Sequence, residues 1–164
     1  MRHARVLVVD DEPFARQALS EWLRRMDFHV FEADSGRRAM EWLLKNEPDV
    51  IISDMVMPEM DGLQLLEESK ALMPDVPFVM VTGYPSHNTA IKVMKQGASD
   101  FLAKPFTPEE LTRRVNRALH QKEADGALAP ARGIISAAAF SSILWAFIIL
   151  VCCYGNGFTM SDFF

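Results

Sequence analysis

The chain has 164 residues and carries 17 Lys and Arg against 22 Asp and Glu, a net charge of −5. That length holds one domain of about 100–150 residues and an appendage. The 49% apolar and 24% charged composition excludes a disordered chain. The acidic balance argues against a nucleic-acid-binding domain, and two adjacent, late cysteines, Cys152 and Cys153, exclude a disulfide framework or a metal knuckle.

The opening residues, MRHARVLVVDDE, turn acidic before an apolar run long enough for a secretory signal. Arg5–Val9 is a buried-strand run. From Pro13 to Met26, Phe14, Ala18, Leu19, Trp22, Leu23 and Met26 form a helical stripe with proline at its start. Phe28–Glu32 is a second short strand, and Ser35 caps a helix expected to reach about Asn46, before Pro48. Val50–Ser53 is a third strand, followed by a helix from about Leu63 to Leu72 that Pro74 stops. Pro77–Val81 is a fourth strand, and Ser86–Gln96 a helix with Gly97 as its stop. Asp100–Ala103 is a fifth strand. Thr107-Pro108-Glu109-Glu110 is a capping box that opens a helix to about Lys122.

Charge then disappears. Residues 1–125 hold 16 basic and 21 acidic groups, and residues 126–164 hold only Arg132 and Asp162. Gln121–Gly133 reads as a linker from its small residues, Pro130 and two glycines. Residues 134–154, IISAAAFSSILWAFIILVCCY, contain no charge, and ten of them are Ile, Leu, Phe or Val. As a helix this segment is about 31 Å long, the thickness of a bilayer core. With Arg132 and the other basic residues on its N-terminal side, a spanning helix would leave residues 1–122 in the cytoplasm and 155–164 outside. A hydrophobic packing or dimerisation helix and an abnormal carboxyl end are the competing readings.

Five strands alternating with helices imply a parallel sheet covered on both faces. Ligands of such sheets bind beyond the carboxyl ends of the strands. Asp10, Asp11 and Glu12 follow the first strand, Asp54 the third, Thr82 the fourth, and Lys104-Pro105 the fifth. Carboxylates gathered at one edge repel unless a cation holds them ionised. An all-oxygen donor set selects Mg²⁺, with Mn²⁺ as the alternative. A hard cation, an ammonium and a hydroxyl donor together suit a phosphoryl group, and one carboxylate can be the nucleophile, giving an aspartyl phosphate.

The segments VLVVDDE, DMVMPEMDG, VTGY and FLAKPF resemble those of response-regulator receiver domains of two-component signalling, over about residues 4–122. Thr82–Phe106 is particularly similar to receivers found on bacterial transcription activators. The resemblance implies an α/β, flavodoxin-like, doubly wound five-stranded parallel sheet in the order 2-1-3-4-5 with five helices. To this the sequence adds a C-terminal hydrophobic helix. The expected division is a receiver over 1–122, a linker over 123–133, a candidate transmembrane helix over 134–154 and a short tail over 155–164.

The resemblance also implies roles. Asp54 would accept the phosphoryl group from a histidine kinase or histidine phosphotransfer protein. Asp11, Asp54 and the backbone carbonyl of Val56 would ligate Mg²⁺, with Asp10 acting through a metal-bound water. Lys104 would pair with phosphoryl oxygens. Thr82 and Phe101 would switch on phosphorylation, although an aromatic in a short strand is as well explained as core. Pro58 would shape the loop after the nucleophile, and the Lys104–Pro105 bond would be cis. Val56 and Tyr84 flank the path of a hydrolytic water and offer no carboxylate or amide to orient it, so self-dephosphorylation is expected to be slow. With no room for a DNA-binding output domain, action through an unknown downstream protein is expected.

Two rivals differ in kind. A phosphatase of the haloacid-dehalogenase type also uses an aspartate nucleophile, Mg²⁺ and a lysine. It should carry a D-x-D pair after the first strand, where this chain has Asp10-Asp11. A receiver-fold interaction module that works without phosphorylation would have no need of the acid–Thr–Lys set.

Overall fold

The computed structural model describes residues 3–128. The described residues through Glu123 form one compact unit. In chain order the described elements are β1 (Arg5–Val9), α1 (Pro13–Arg25), β2 (His29–Ala33), α2 (Gly36–Leu43), β3 (Val50–Asp54), α3 (Gly62–Leu72), β4 (Phe78–Thr82), α4 (His87–Lys95), β5 (Asp100–Ala103) and α5 (Pro108–Leu128). All strand pairs are parallel, in the order β2-β1-β3-β4-β5. This is the expected doubly wound sheet. The expected hydrophobic helix over 134–154 and the tail over 155–164 lie outside the described residues. Among the described residues, no helix is long and apolar enough to cross a membrane.

Alternation along the strands divides the core. Val6 and Val8 of β1, with Val50, Ile52, Val79 and Val81, pack against Leu19, Leu23, Leu111 and Val115 of α1 and α5. Leu7, Val9, Ile51, Phe78 and Met80 face the other way, toward Ala39, Leu43, Leu65, Leu66 and Val93 of α2, α3 and α4. Neighbouring residues of a strand point to opposite faces, so a continuous apolar run feeds both layers. The central strands β1, β3 and β4 are buried almost throughout, which fixes their register.

Local chemistry sets most boundaries. Ser35, Asp61 and Ser86 cap α2, α3 and α4 by accepting the backbone N–H of the third helical residue. Thr107 and Glu110 form the expected capping box at α5. Gly97 ends α4 with a φ of 93°, a left-handed conformation that favours glycine.

Several boundaries differ from the sequence reading, among them β2, which lies at His29–Ala33 rather than Phe28–Glu32. Helix α2 ends at Leu43 rather than Asn46, because the Asn46 side chain donates to the Trp42 carbonyl and replaces the next helical turn. Strand β4 starts at Phe78, since Pro77 has no N–H for the ladder, and runs through Thr82. Strand β3 runs through Asp54. Helix α5 continues through Gln121–Leu128, where a linker was expected. Its Lys, Glu, Ala and Leu residues are strong helix formers and outweigh the cost of Gly126, about 1 kcal/mol.

Candidate functional site

Register brings the acidic residues together. Val9 of β1 pairs with Ser53 of β3, so Asp10 and Asp54 stand opposite one another at the ends of adjacent central strands. Thr82 of β4 pairs with Ala103 of β5, which puts Lys104 one step beyond. The Lys104 backbone N–H donates to the Thr82 carbonyl at 2.7 Å, tying the fifth strand end to the fourth. The Lys104–Pro105 peptide is cis, as expected.

The Lys104 ammonium bridges the two acids, 2.6 Å from Asp54 Oδ1 and 3.1 Å from Asp10 Oδ2. The remaining carboxylate oxygens are also satisfied. Asp10 Oδ1 accepts the Glu12 N–H at 2.9 Å, and Asp54 Oδ2 accepts the Val56 N–H at 2.7 Å. Asp10 is buried and Asp54 half-buried. Burial pulls the Lys104 pKa down. The Asp54 hydrogen bond, with Asp10 beside it, overrides that, and the net shift is above the ordinary lysine value.

This shift has a testable sign. A lysine whose pKa is higher in the folded state stabilises fully below its unfolded value, near 10.4, and loses that contribution as pH rises through the folded value. Removing one partner of a buried pair costs about 3–5 kcal/mol and an exposed pair is worth under about 1 kcal/mol. Lys104 is 31% exposed, so Lys104→Met is expected to cost about 2 kcal/mol at neutral pH. The gap between wild type and variant should narrow above about pH 10.4 in urea melts. A gap that widened there would contradict the assignment.

The other expected residues fall into place less uniformly. Asp11 is exposed on the β1–α1 loop. Among the described residues, no three Asp, Glu, His or Cys side chains form a group able to hold a metal ion. Asp11 follows Asp10 directly, beside the lysine-bridged pair of Asp10 and Asp54. Thr82 is fully buried at the end of β4, and its hydroxyl accepts the Tyr84 N–H at 3.1 Å. Phe101 is half-buried against the α2–α4 core layer. Val56 and Tyr84 are exposed, 57% and 78%, on the loops after β3 and β4.

The sequence reading missed Gly62. This first residue of α3 donates its N–H to the Met55 carbonyl at 3.0 Å, which pulls the helix start onto the backbone following the acidic residue. A Cβ there would fall on the Asp54 carbonyl oxygen and within 2.9 Å of Met55 Cα and Met80 Sδ. The Asp-Gly pair closing DMVMPEMDG was the available signal.

Residues 6–116 match the response regulator receiver domain family. The chain belongs to that family. Over 115 residues the receiver is 37% identical to the regulatory protein AtoC of Escherichia coli, a match covering 70% of this chain and 25% of AtoC. The chain therefore spans about a quarter of that relative. A receiver domain of Clostridium thermocellum aligns with a TM-score of 0.70 at 32% identity, over 74% of this chain and 98% of that one. Chemotaxis protein CheY4 of Vibrio cholerae aligns with a TM-score of 0.68 at 34% identity, over 71% and 99%.

Receiver domains of two-component systems bind Mg²⁺ at their phosphorylation site and interact with histidine kinases or phosphotransfer proteins. The donor chemistry in this receiver fits that ion. The carboxylates of Asp10 and Asp54 meet at one ammonium on adjacent strand ends, and Asp11 adjoins Asp10, an all-oxygen acidic set. Mg²⁺ needs only one or two carboxylates and retains several waters, so a closed three-acid cluster is not required.

Proposed function

We propose that this receiver accepts a phosphoryl group on Asp54 from a histidine kinase or histidine phosphotransfer protein, and that the change is read by another protein. The observation carrying this reading is the Lys104 ammonium between Asp54 and Asp10, at 2.6 and 3.1 Å, at the carboxyl edge of the sheet. A bridging ammonium pairs with the half-buried carboxylate and is placed to meet the oxygens of an incoming phosphoryl group.

In this reading the Asp54 carboxylate attacks the phosphorus of a phosphohistidine. A phosphorus–oxygen bond forms as the phosphorus–nitrogen bond breaks, and the imidazole leaves with the electron pair and takes up a proton. Lys104 holds Asp54 in place and then compensates the added charge. Asp10, Asp11, Asp54 and the Val56 carbonyl would hold Mg²⁺, which supplies neutralisation of charge on the transferred group. Thr82 would turn its hydroxyl from the Tyr84 N–H toward the phosphoryl group, and Phe101 would move into the space released. The protein is a signalling phosphoacceptor that catalyses only its own phosphotransfer and dephosphorylation.

The test uses the full chain, Mg²⁺ and acetyl phosphate, with intact mass as the readout. A gain of about 80 Da that requires the metal is expected, one phosphoryl group per chain. No gain from acetyl phosphate, a phosphohistidine protein or a kinase, with the fold intact, would favour the phosphorylation-independent module. After the donor is removed, the adduct should decay over minutes or longer, because the exposed Val56 and Tyr84 orient no water. Decay within seconds would contradict that part.

We further propose that residues 134–154 tether the receiver to the cytoplasmic face of a membrane, on the strength of 21 consecutive uncharged residues. The chain should stay with the membrane fraction through alkaline carbonate washing. Release into the supernatant would contradict the tether.

A further inference from the structure

Asp10 is held from four directions. Its N–H donates to the Ala33 carbonyl at 3.3 Å, Oδ1 accepts from the Glu12 N–H, and Oδ2 accepts from Lys104. The fourth bond comes from outside the acidic edge. Arg16, one turn into α1, donates from its guanidinium to the Asp10 backbone carbonyl at 2.7 Å. Arg16 is itself oriented. Its Nε lies 3.6 Å from Glu32 Oε2, and Arg24 holds the other Glu32 oxygen at 2.8 Å. Glu32 belongs to β2, paired with Val8 beside the same loop. The side chain of Arg16 is only 18% exposed.

Glu12 at the N-cap of helix α1 makes no side-chain cap bond, and the turn joins the helix through Pro13 at its first position and the Arg16 N–H donated to the Glu12 carbonyl at 3.0 Å. The Arg16 side chain adds a second tie, joining the loop to α1 and, through Glu32, to the edge strand.

We infer that Arg16 is a positioning residue for the acidic loop: it sets the Asp10-Asp11 backbone and thereby the affinity for a divalent cation. The inference rests on the proposed reading of that edge as a cation-dependent phosphoacceptor site. A partner of this kind, one bond removed from the ligands, typically governs metal affinity by 10–100-fold. The charge of Arg16 acts in the opposite sense, because a guanidinium near the site repels a cation. Removing it would tighten binding if charge were all that mattered. The two effects therefore predict opposite signs.

The experiment titrates Mn²⁺ into the unphosphorylated full chain and reads free Mn²⁺ by electron paramagnetic resonance. Arg16→Met and Arg16→Gln, both neutral and helix-compatible, are compared with wild type, and urea melts report the fold. Each variant is expected to bind Mn²⁺ about tenfold more weakly, at the low end of the range for such partners. A purely structural role would lower the urea midpoint and leave the affinity unmoved. Should one variant fail to fold, the other carries the comparison. Affinity equal to or tighter than wild type in a folded variant would overturn the inference while leaving the phosphoacceptor reading intact. Absence of Mn²⁺ binding by the wild type would overturn both.

Discussion

Asp54→Asn is expected to abolish phosphoryl uptake and leave the fold intact. Asparagine matches aspartate in size and keeps one oxygen to accept from the Val56 N–H or from Lys104, which also retains Asp10 as partner. What disappears is the anionic nucleophile. An amide oxygen is too weak a base to take a phosphoryl group, so the adduct of about 80 Da should vanish entirely. The outcome is informative because Asp10 and Asp11 lie on the neighbouring strand end. An adduct that persisted in the variant, mapped by peptide mass to either of them, would move the acceptor away from Asp54. Loss of the adduct together with a collapsed urea transition would indicate misfolding, and the near-isosteric replacement is chosen to prevent that.

Gly62→Ala is expected to cost about 3 kcal/mol or more, a large effect for one methyl group. Two of the three atoms that a Cβ would meet, the Asp54 carbonyl oxygen and Met55 Cα, are backbone, which cannot swing aside as a side chain can. Relief requires α3 to back away from the β3 end, stretching the Gly62–Met55 hydrogen bond and disturbing the loop that presents Val56 N–H to Asp54. Phosphoryl uptake should therefore slow along with the loss of stability. Gly83→Ala is the matched control. A Cβ on Gly83 meets nothing within 4 Å, and the change should stay within about 0.5 kcal/mol in urea melts. Similar costs at the two glycines would contradict the steric account.

Much of the fold was legible because its signals are local. Short apolar stretches, longest at β1 and β4, marked the strands, and Ser35, Ser86 and Thr107 marked helix starts through chemistry confined to one turn. Boundary errors arose where a nearby side chain competed with the pattern, as Asn46 did at the end of α2. At α5 the small residues read as a linker, yet they propagate a helix already begun, and extending a helix is far easier than nucleating one.

The sequence by itself determined that Asp10, Asp54, Thr82 and Lys104 sit at strand ends, since each borders an apolar run whose direction in a parallel sheet is set. Tertiary structure alone decided which of them meet. Lys104 reaches Asp54 across 50 residues of chain and Asp10 across 94, and these contacts exist because β1, β3, β4 and β5 lie side by side in one register. Exposure of Asp11, the hold of Tyr84 N–H on the Thr82 hydroxyl, the reach of Arg16 to the Asp10 carbonyl and the crowding at Gly62 were likewise beyond sequence patterning. Periodicity records which face of an element is apolar. Distances of 3 Å between polar groups depend on how whole elements are placed against one another, and that is settled by packing of the core beneath them.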